Sequence, residues 1–228
     1  MKKIILSIAI FFLVNTQSSG HVEHYAKYNY LEYELFRNNN PIGYHKYDFK
    51  RDGNNLSILS EVSFKITKLG VDLYKYFAKS EENYENGVFQ KYSSKTKQNK
   101  KNRYVNIQVS PNKKKHLIID GSSYKGKADI DFIVGTWWNH EIIKAKAQIS
   151  GISGRIIEQT VTFIGKEELK IGDKTYKTLR FNFRSSDKTL PDSKKLNTDI
   201  WYEEGTYLWV KAAFDKTGYW EYRLKKVN

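Results

Sequence analysis

The chain of 228 residues predicts an all-β fold, a curled antiparallel sheet or flattened β-barrel of about twelve strands with one short mid-chain helix. Three observations carry that reading. Apolar and polar residues alternate along most of the chain, as with Leu56, Ile58, Val62, Phe64 and Ile66 against Ser57, Glu61, Ser63, Lys65 and Thr67. A period of two with one dry face belongs to an antiparallel sheet. Turn signals such as Asp52-Gly53-Asn54-Asn55 and Glu85-Asn86-Gly87 recur between the alternating runs, and the Asn-Gly type accepts the positive φ angles of a tight hairpin. Only between Asp129 and Ile149 does the period change.

Taken in order, the first strand is the aromatic-rich run Tyr25 to Phe36, whose alternation is imperfect because Glu32 and Glu34 share a face with Tyr28 and Tyr30. After the turn Asn38 to Gly43, His45, Tyr47 and Phe49 face one way while Lys46, Asp48 and Lys50 face the other. The Leu56 strand, Val71 to Tyr84, Val88 to Lys97, Arg103 to Ser110 and Leu117 to Asp120 complete a meander of seven. In the central stretch Trp138, Ile142, Ala145 and Ile149 are spaced by four, three and four, as on one helix face. Asn139 is placed as N-cap, Glu141 lies in the first turn and Gly151 stands at the stop, so a helix of two to three turns is expected. Strands then resume around Ile157–Phe163, Leu179–Phe183, Asp199–Glu203, Leu208–Phe214 and Trp220–Leu224, interrupted by the polar loop Ser185 to Asn197.

The first twenty residues read as a signal peptide and 21–228 as a single domain. Lys2 and Lys3 precede the apolar run Ile4 to Val14, and Ser18 and Gly20 are placed as the small residues of a cleavage site. The run is too short to span a bilayer, and no later stretch is apolar enough, so no transmembrane segment is expected in the mature chain. There is no cysteine, which excludes disulfides, thiolate metal sites and lipid attachment at a cysteine after the leader. The expected compartment is therefore the periplasm, reached by cleavage and not as a lipoprotein.

The formal charge of +14 falls to +12 without Lys2 and Lys3. Lysine outnumbers arginine 32 to 7. Arginine is the residue of bidentate phosphate recognition, so this excess fits compositional bias better than a selected anion site, and nucleic acid is not an expected partner of an exported protein.

Catalytic signatures are missing. Gly151-Ile152-Ser153-Gly154 lacks the spacing of a nucleophile elbow, and Ser94-Lys95-Thr96-Lys97 sits in a strand without a partner motif. No two of the five histidines have metal-ligand spacing on a predicted helix, so neither metal nor cofactor is expected. Thr136-Trp137-Trp138-Asn139-His140 holds two of the five tryptophans. By helical phase Trp138 anchors the helix on the sheet and Asn139 caps it. Adjacent residues on a helix point about 100° apart, which leaves Trp137 and His140 free to line a binding lip. His45, on the dry face of its strand, is the third candidate ligand residue. The bland alternative makes the tryptophan pair a packing plug and His45 a hydrogen-bonded core histidine.

Pro41-Ile42-Gly43-Tyr44-His45, Gly70 followed by Tyr74-Lys75-Tyr76, Glu81 with Tyr84-Glu85-Asn86-Gly87, Trp138-Asn139 and Asp199-Ile200-Trp201-Tyr202 occur in a characteristic order. On them, from about Tyr25 to Leu224, the chain resembles a family of exported proteobacterial proteins known only as a domain of unknown function. Tyr84 stands where that family carries tryptophan. The resemblance implies export and an all-β fold, and supplies no catalytic residue.

The reading that follows is a binding protein, not an enzyme, for a lipid-like or other amphipathic envelope molecule. The alternative is an envelope-assembly protein that meets an anionic glycan or a protein partner through basic turns, Lys95 to Arg103 and Lys113 to Lys115. The sequence assigns no oligomeric state.

Overall fold

A computed structural model describes residues 21–112 and 116–228. Residues 1–20, expected to be a leader, and Lys113–Lys115 lie outside the described residues.

Fifteen strands form one sheet. They are β1 (Tyr30–Arg37), β2 (Asn40–Asp52), β3 (Asn55–Lys68), β4 (Val71–Glu85), β5 (Val88–Gln98), β6 (Lys101–Val109), β7 (His116–Gly121), β8 (Lys125–Asp129), β9 (Ile133–Val134), β10 (Ala147–Ile149), β11 (Ile156–Ile171), β12 (Lys174–Ser185), β13 (Asn197–Glu203), β14 (Trp209–Asp215) and β15 (Tyr219–Val227). Their order is β8-β7-β6-β5-β4-β3-β2-β1-β15-β14-β13-β12-β11-β10-β9. All neighbours are antiparallel except β9 and β10. The two edge strands, β8 and β9, are consecutive in the chain, so residues 130–132 bring the ends of the sheet together and roll it up.

The strand count exceeds the expected twelve by β8, β9 and β10, all short and all flanking the central stretch. The expected mid-chain helix is absent. In its place is a single 3-10 turn, His140–Ile143, with Asn139 Oδ1 accepting the Glu141 N–H at 3.1 Å. The reason lies in its surroundings. Residues 135–146 thread the rolled sheet, with Lys144 and Lys146 reaching solvent, and side chains of other strands take backbone groups that a helix would pair internally. Tyr47 Oη donates to Thr136 O at 2.8 Å, Tyr202 Oη to Trp137 O at 2.9 Å, and Gln159 Nε2 to Ile142 O and Ala145 O at 3.0 and 3.1 Å. The apolar spacing reports burial: Trp138, Ile142 and Ile149 are fully enclosed. Here tertiary contact overrides a helical period.

Period-two patterning places the core. Leu31, Tyr33 and Leu35 form the dry face of β1, which resolves the ambiguity left by Glu32 and Glu34. With Tyr47, Phe49, Ile58, Trp138, Tyr202 and Trp209 they make the larger hydrophobic cluster. A second cluster joins Tyr92, Val105, Ile107, Leu117 and Ile119 to Val134 and Ile149. There the last strands of the sheet pack against the inner face of its first ones.

That overlap is a close backbone seam. The β10–β11 turn docks on β5 and β7, with Tyr92 Oη donating to Gly151 O at 3.0 Å and Ser123 N–H to Ser153 O at 2.9 Å. Gly121 is buried in the seam, and a Cβ on it would lie 2.5 Å from Ser153 O and 3.1 Å from Gly154 Cα. Gly121→Ala is expected to cost about 1–3 kcal/mol, the usual range for overpacking. It should lower the urea midpoint with an unchanged slope; an unshifted midpoint would mean that the seam is loose.

Candidate functional site

The central segment divides the interior of the roll into two chambers. Its geometry is set at Trp137, which adopts φ +60° in a turn closed by Trp138 N–H donating to Thr136 O at 2.8 Å. A left-handed conformation at a bulky residue costs of order 1–3 kcal/mol and persists only when neighbours impose it. Tyr47 and Tyr202 do so by binding the carbonyls on either side of the bend. The bend aims the two adjacent indoles into different surroundings.

Trp138 turns toward the β4 side. It is fully buried, packs edge-on against Tyr25, Phe49 and Tyr84, and donates its Nε1–H to Glu82 Oε2 at 3.0 Å. Glu82 also accepts from Tyr84 Oη at 2.5 Å and, more weakly, from Thr136 Oγ1 at 3.4 Å. Burial raises its pKa from 4.5 to about 7, against the opposing pull of these three donors. Glu82, Tyr84 and Asn139 line a chamber of about 690 Å³ whose other walls include Val22, Phe89, Val109, Phe132 and Ile133. This apolar trough belongs to the end of the roll where the β4–β5 hairpin turns.

Trp137 turns the other way, with its ring 5.5 Å from Trp209 and 5.6 Å from Tyr222. His45 approaches the same two rings, at 6.1 and 5.9 Å. Both residues line the second chamber, of about 560 Å³. Its wall is amphipathic. Hydroxyls of Ser60, Ser80, Ser94 and Thr96 alternate with Val62, Ala78 and aromatic faces, because every second residue of β3, β4 and β5 points inward. At the mouth stand Arg155, Asp192, Lys195 and Lys216, so the polar loop between β12 and β13 borders the opening.

Trp137 and His45 each line this chamber and each keep one buried ring nitrogen, Trp137 Nε1 and His45 Nδ1, that has no hydrogen-bond partner among the described residues. His45 Nε2 shares a hydrogen bond with Ser60 Oγ at 2.8 Å, and enclosure by protein pushes its pKa down to about 3, from 6.5. The imidazole therefore stays neutral above mildly acidic pH, suited to hydrogen bonding and not to holding an anion by charge.

Of the three candidate ligand residues, the structure brings Trp137 and His45 together and sets His140 apart. His140 is buried beyond the bend, stacked on Tyr207 at 4.5 Å and edge-on to His24 at 4.7 Å, and lines neither chamber. His24 is exposed but its ring meets His140 and Tyr207, at 4.7 and 5.9 Å. Glu82 was not legible as a site residue. Its one signal is a carboxylate in phase with Tyr84, on the face that turns out to be dry. No group of acidic and histidine side chains that could hold a metal ion occurs among the described residues, and none of their helices is long and apolar enough to cross a membrane.

Glu82 gives a pH signature with a defined sign. The unfolded chain releases this proton near pH 4.5, the folded one near 7. Between those values the folded state binds more protons, so burying the carboxyl lowers stability progressively as pH rises, and the cost is constant above 7. Glu82→Gln should therefore gain on the parent protein between pH 4.5 and 7, by on the order of 3 kcal/mol in all. Urea titrations of both proteins across that range check it, and a pH-independent difference would contradict it.

Similarity to known proteins follows the fold. No curated protein matches the chain. A crystal structure titled as a β-barrel-like protein of domain of unknown function DUF1849, from Brucella abortus, superposes with a TM-score of 0.58 at 10% identity, covering 87% of this chain and 96% of that one. At that identity the likeness concerns the fold alone. The family model described as Domain of unknown function (DUF6134) matches residues 33–225, and the chain belongs to that family.

Proposed function

We propose that the protein is an exported binding protein that holds a lipid-like or other amphipathic envelope molecule in the chamber between β2–β5 and the central bend. The observation that carries this is the chamber's roomy mixed wall, where hydroxyls of Ser60, Ser80, Ser94 and Thr96 stand beside Trp137, Val62 and Phe214; behind it, Trp137 Nε1 and His45 Nδ1 are buried without a partner. A buried N–H left without a partner costs about 1–3 kcal/mol, so a ligand whose entry lets these rings shift and supplies an acceptor is favoured. The volume of about 560 Å³ falls in the range of small-molecule sites. Apolar faces of Trp137, Val62 and Phe214 would take the hydrocarbon part, while serine and threonine hydroxyls and the two ring nitrogens would take the polar part. The strained bend at Trp137 fits this role, since the distortion presents the indole to the chamber.

Export rests on the leader pattern of Lys2, Lys3, the Ile4–Val14 run and Gly20, with the first element of the fold beginning at His21. The periplasm is the compartment proposed.

Purified protein extracted with organic solvent should release a co-purifying amphipathic molecule detectable by mass spectrometry, or bind an apolar fluorescent probe in its absence. Trp137→Phe keeps an aromatic ring but removes the N–H together with part of the indole. It should weaken probe or ligand binding by roughly tenfold, with some loss of unfolding temperature because the smaller ring leaves space beside Trp209 and Tyr222. Protein that repeatedly yields no ligand and binds no probe would sink the reading.

A further inference from the structure

The β3–β4 hairpin outgrows the sheet that carries it. β2 pairs with β3 only as far as Gly43–Phe64, and β5 pairs with β4 only as far as Tyr76–Gln98. Asn99 braces the next position by donating its N–H to Lys75 O at 2.8 Å and accepting the Lys75 N–H at 2.7 Å. β3 and β4 nevertheless stay paired through Lys65–Lys75, Ile66–Tyr74, Thr67–Asp72 and Lys68–Val71. A two-stranded ribbon therefore projects past both neighbours by roughly 10 Å, at about 3.4 Å per residue. Its tip is apolar: Leu69, Val71 and Leu73 are 95%, 61% and 56% exposed. Three large apolar side chains gathered at the end of an unsupported ribbon are an exposed patch that calls for a cover.

The surroundings indicate which cover fits. Lys65, Lys68 and Lys75 on the ribbon, and Lys97, Lys100 and Lys101 on the adjoining β5–β6 hairpin, are all exposed. The one carboxylate of the ribbon, Asp72, is taken up by Thr67 Oγ1 at 2.7 Å and Lys75 Nζ at 2.9 Å. A small apolar point within a ring of like charges is complementary to a plane that is anionic outside and apolar beneath. It is also too small for a stable protein interface, which buries about 800 Å² per partner. Strand direction puts this tip at the same end of the roll as the β14–β15 turn and the mouth of the Trp137 chamber.

We propose that the β3–β4 tip docks the protein on the surface of an anionic lipid bilayer. Leu69, Val71 and Leu73 enter the headgroup boundary, and the surrounding lysines meet the lipid phosphates. Docking turns the mouth of the chamber toward the membrane, and it holds whatever the chamber contains.

The absence of cysteine makes the test clean. Leu69→Cys, and Asp173→Cys in the β11–β12 turn at the opposite end, each accept one environment-sensitive fluorophore on the full chain. With vesicles of phosphatidylglycerol and phosphatidylethanolamine, the probe at position 69 should shift to the blue and the probe at 173 should not. Both proteins share one amino terminus, so any contribution from the leader is common to them. Adding Lys65→Gln, Lys68→Gln and Lys75→Gln should weaken vesicle binding by roughly a hundredfold while the unfolding temperature holds. The proposal is overturned by no shift at 69, by equal shifts at both positions or by undiminished binding of the triple-lysine variant. Equal binding to pure phosphatidylcholine, or a shift on concentrating the protein without vesicles, which would mean self-association, overturns it too.

Discussion

Twelve residues between β9 and β10 thread a rolled sheet, and the fold depends on the polar groups they bury being met by side chains. An unpaired amide or carbonyl enclosed in this way would cost as much as a lost hydrogen bond. Tyr47 and Tyr202 reach in from β2 and β13 to the carbonyls of Thr136 and Trp137, and Gln159 reaches from β11 to those of Ile142 and Ala145. Gln159 is itself positioned by Gln148, whose Nε2 donates to its Oε1 at 2.7 Å. Because these donors come from both halves of the sheet, the segment ties the halves together as well as filling the space between them. Of its residues, Trp137 lines one chamber and Asn139 the other, and the two differ in character.

Two interior groups have their protonation shifted toward the neutral form: enclosure pushes the His45 imidazole down and the Glu82 carboxyl up, the latter against three donors. The two residues have opposite effects on acid stability. Where the pH windows of the two groups overlap, the imidazole favours folding as pH rises and the carboxyl opposes it. The basic excess of the sequence stays outside, on hairpin tips and outward faces, where screening within about 8 Å limits each charge to short-range work.

Most of the architecture was legible because a half-buried antiparallel strand announces itself in every second residue. His45, Tyr47 and Phe49 do face inward, and hairpins occur at Asn86-Gly87 and Gly172. The central stretch was misread for a definite reason. Trp138, Ile142 and Ile149 are buried at helical spacing, but the burial comes from being surrounded by sheet and not from lying along one helical stripe. Local sequence cannot express the carbonyl acceptors that distant tyrosines and a glutamine provide. The strand pairs β9–β10 and β10–β11 are too short for alternation to register. Of the candidate site, His45 and Trp137 were nameable from their neighbours in sequence; their meeting at Trp209 and Tyr222 was not, since it follows from how the sheet rolls.

The sheet order has a bearing on how the chain reaches its native state. β1 sits at the middle of the sheet, between β2 and β15, with Asn29 and Asn228 joined by a backbone hydrogen bond of 2.7 Å. The strands that follow β1 can zip onto one another as each emerges, by local hairpins. Its other edge must wait for β15, Tyr219–Val227, which lies far later in the sequence. Contacts of such long sequence separation form late and slowly. A chain in which β15 has not yet docked therefore carries an unpaired strand edge beside the apolar face of Leu31, Tyr33 and Leu35, and that interval is when a chaperone has most to protect.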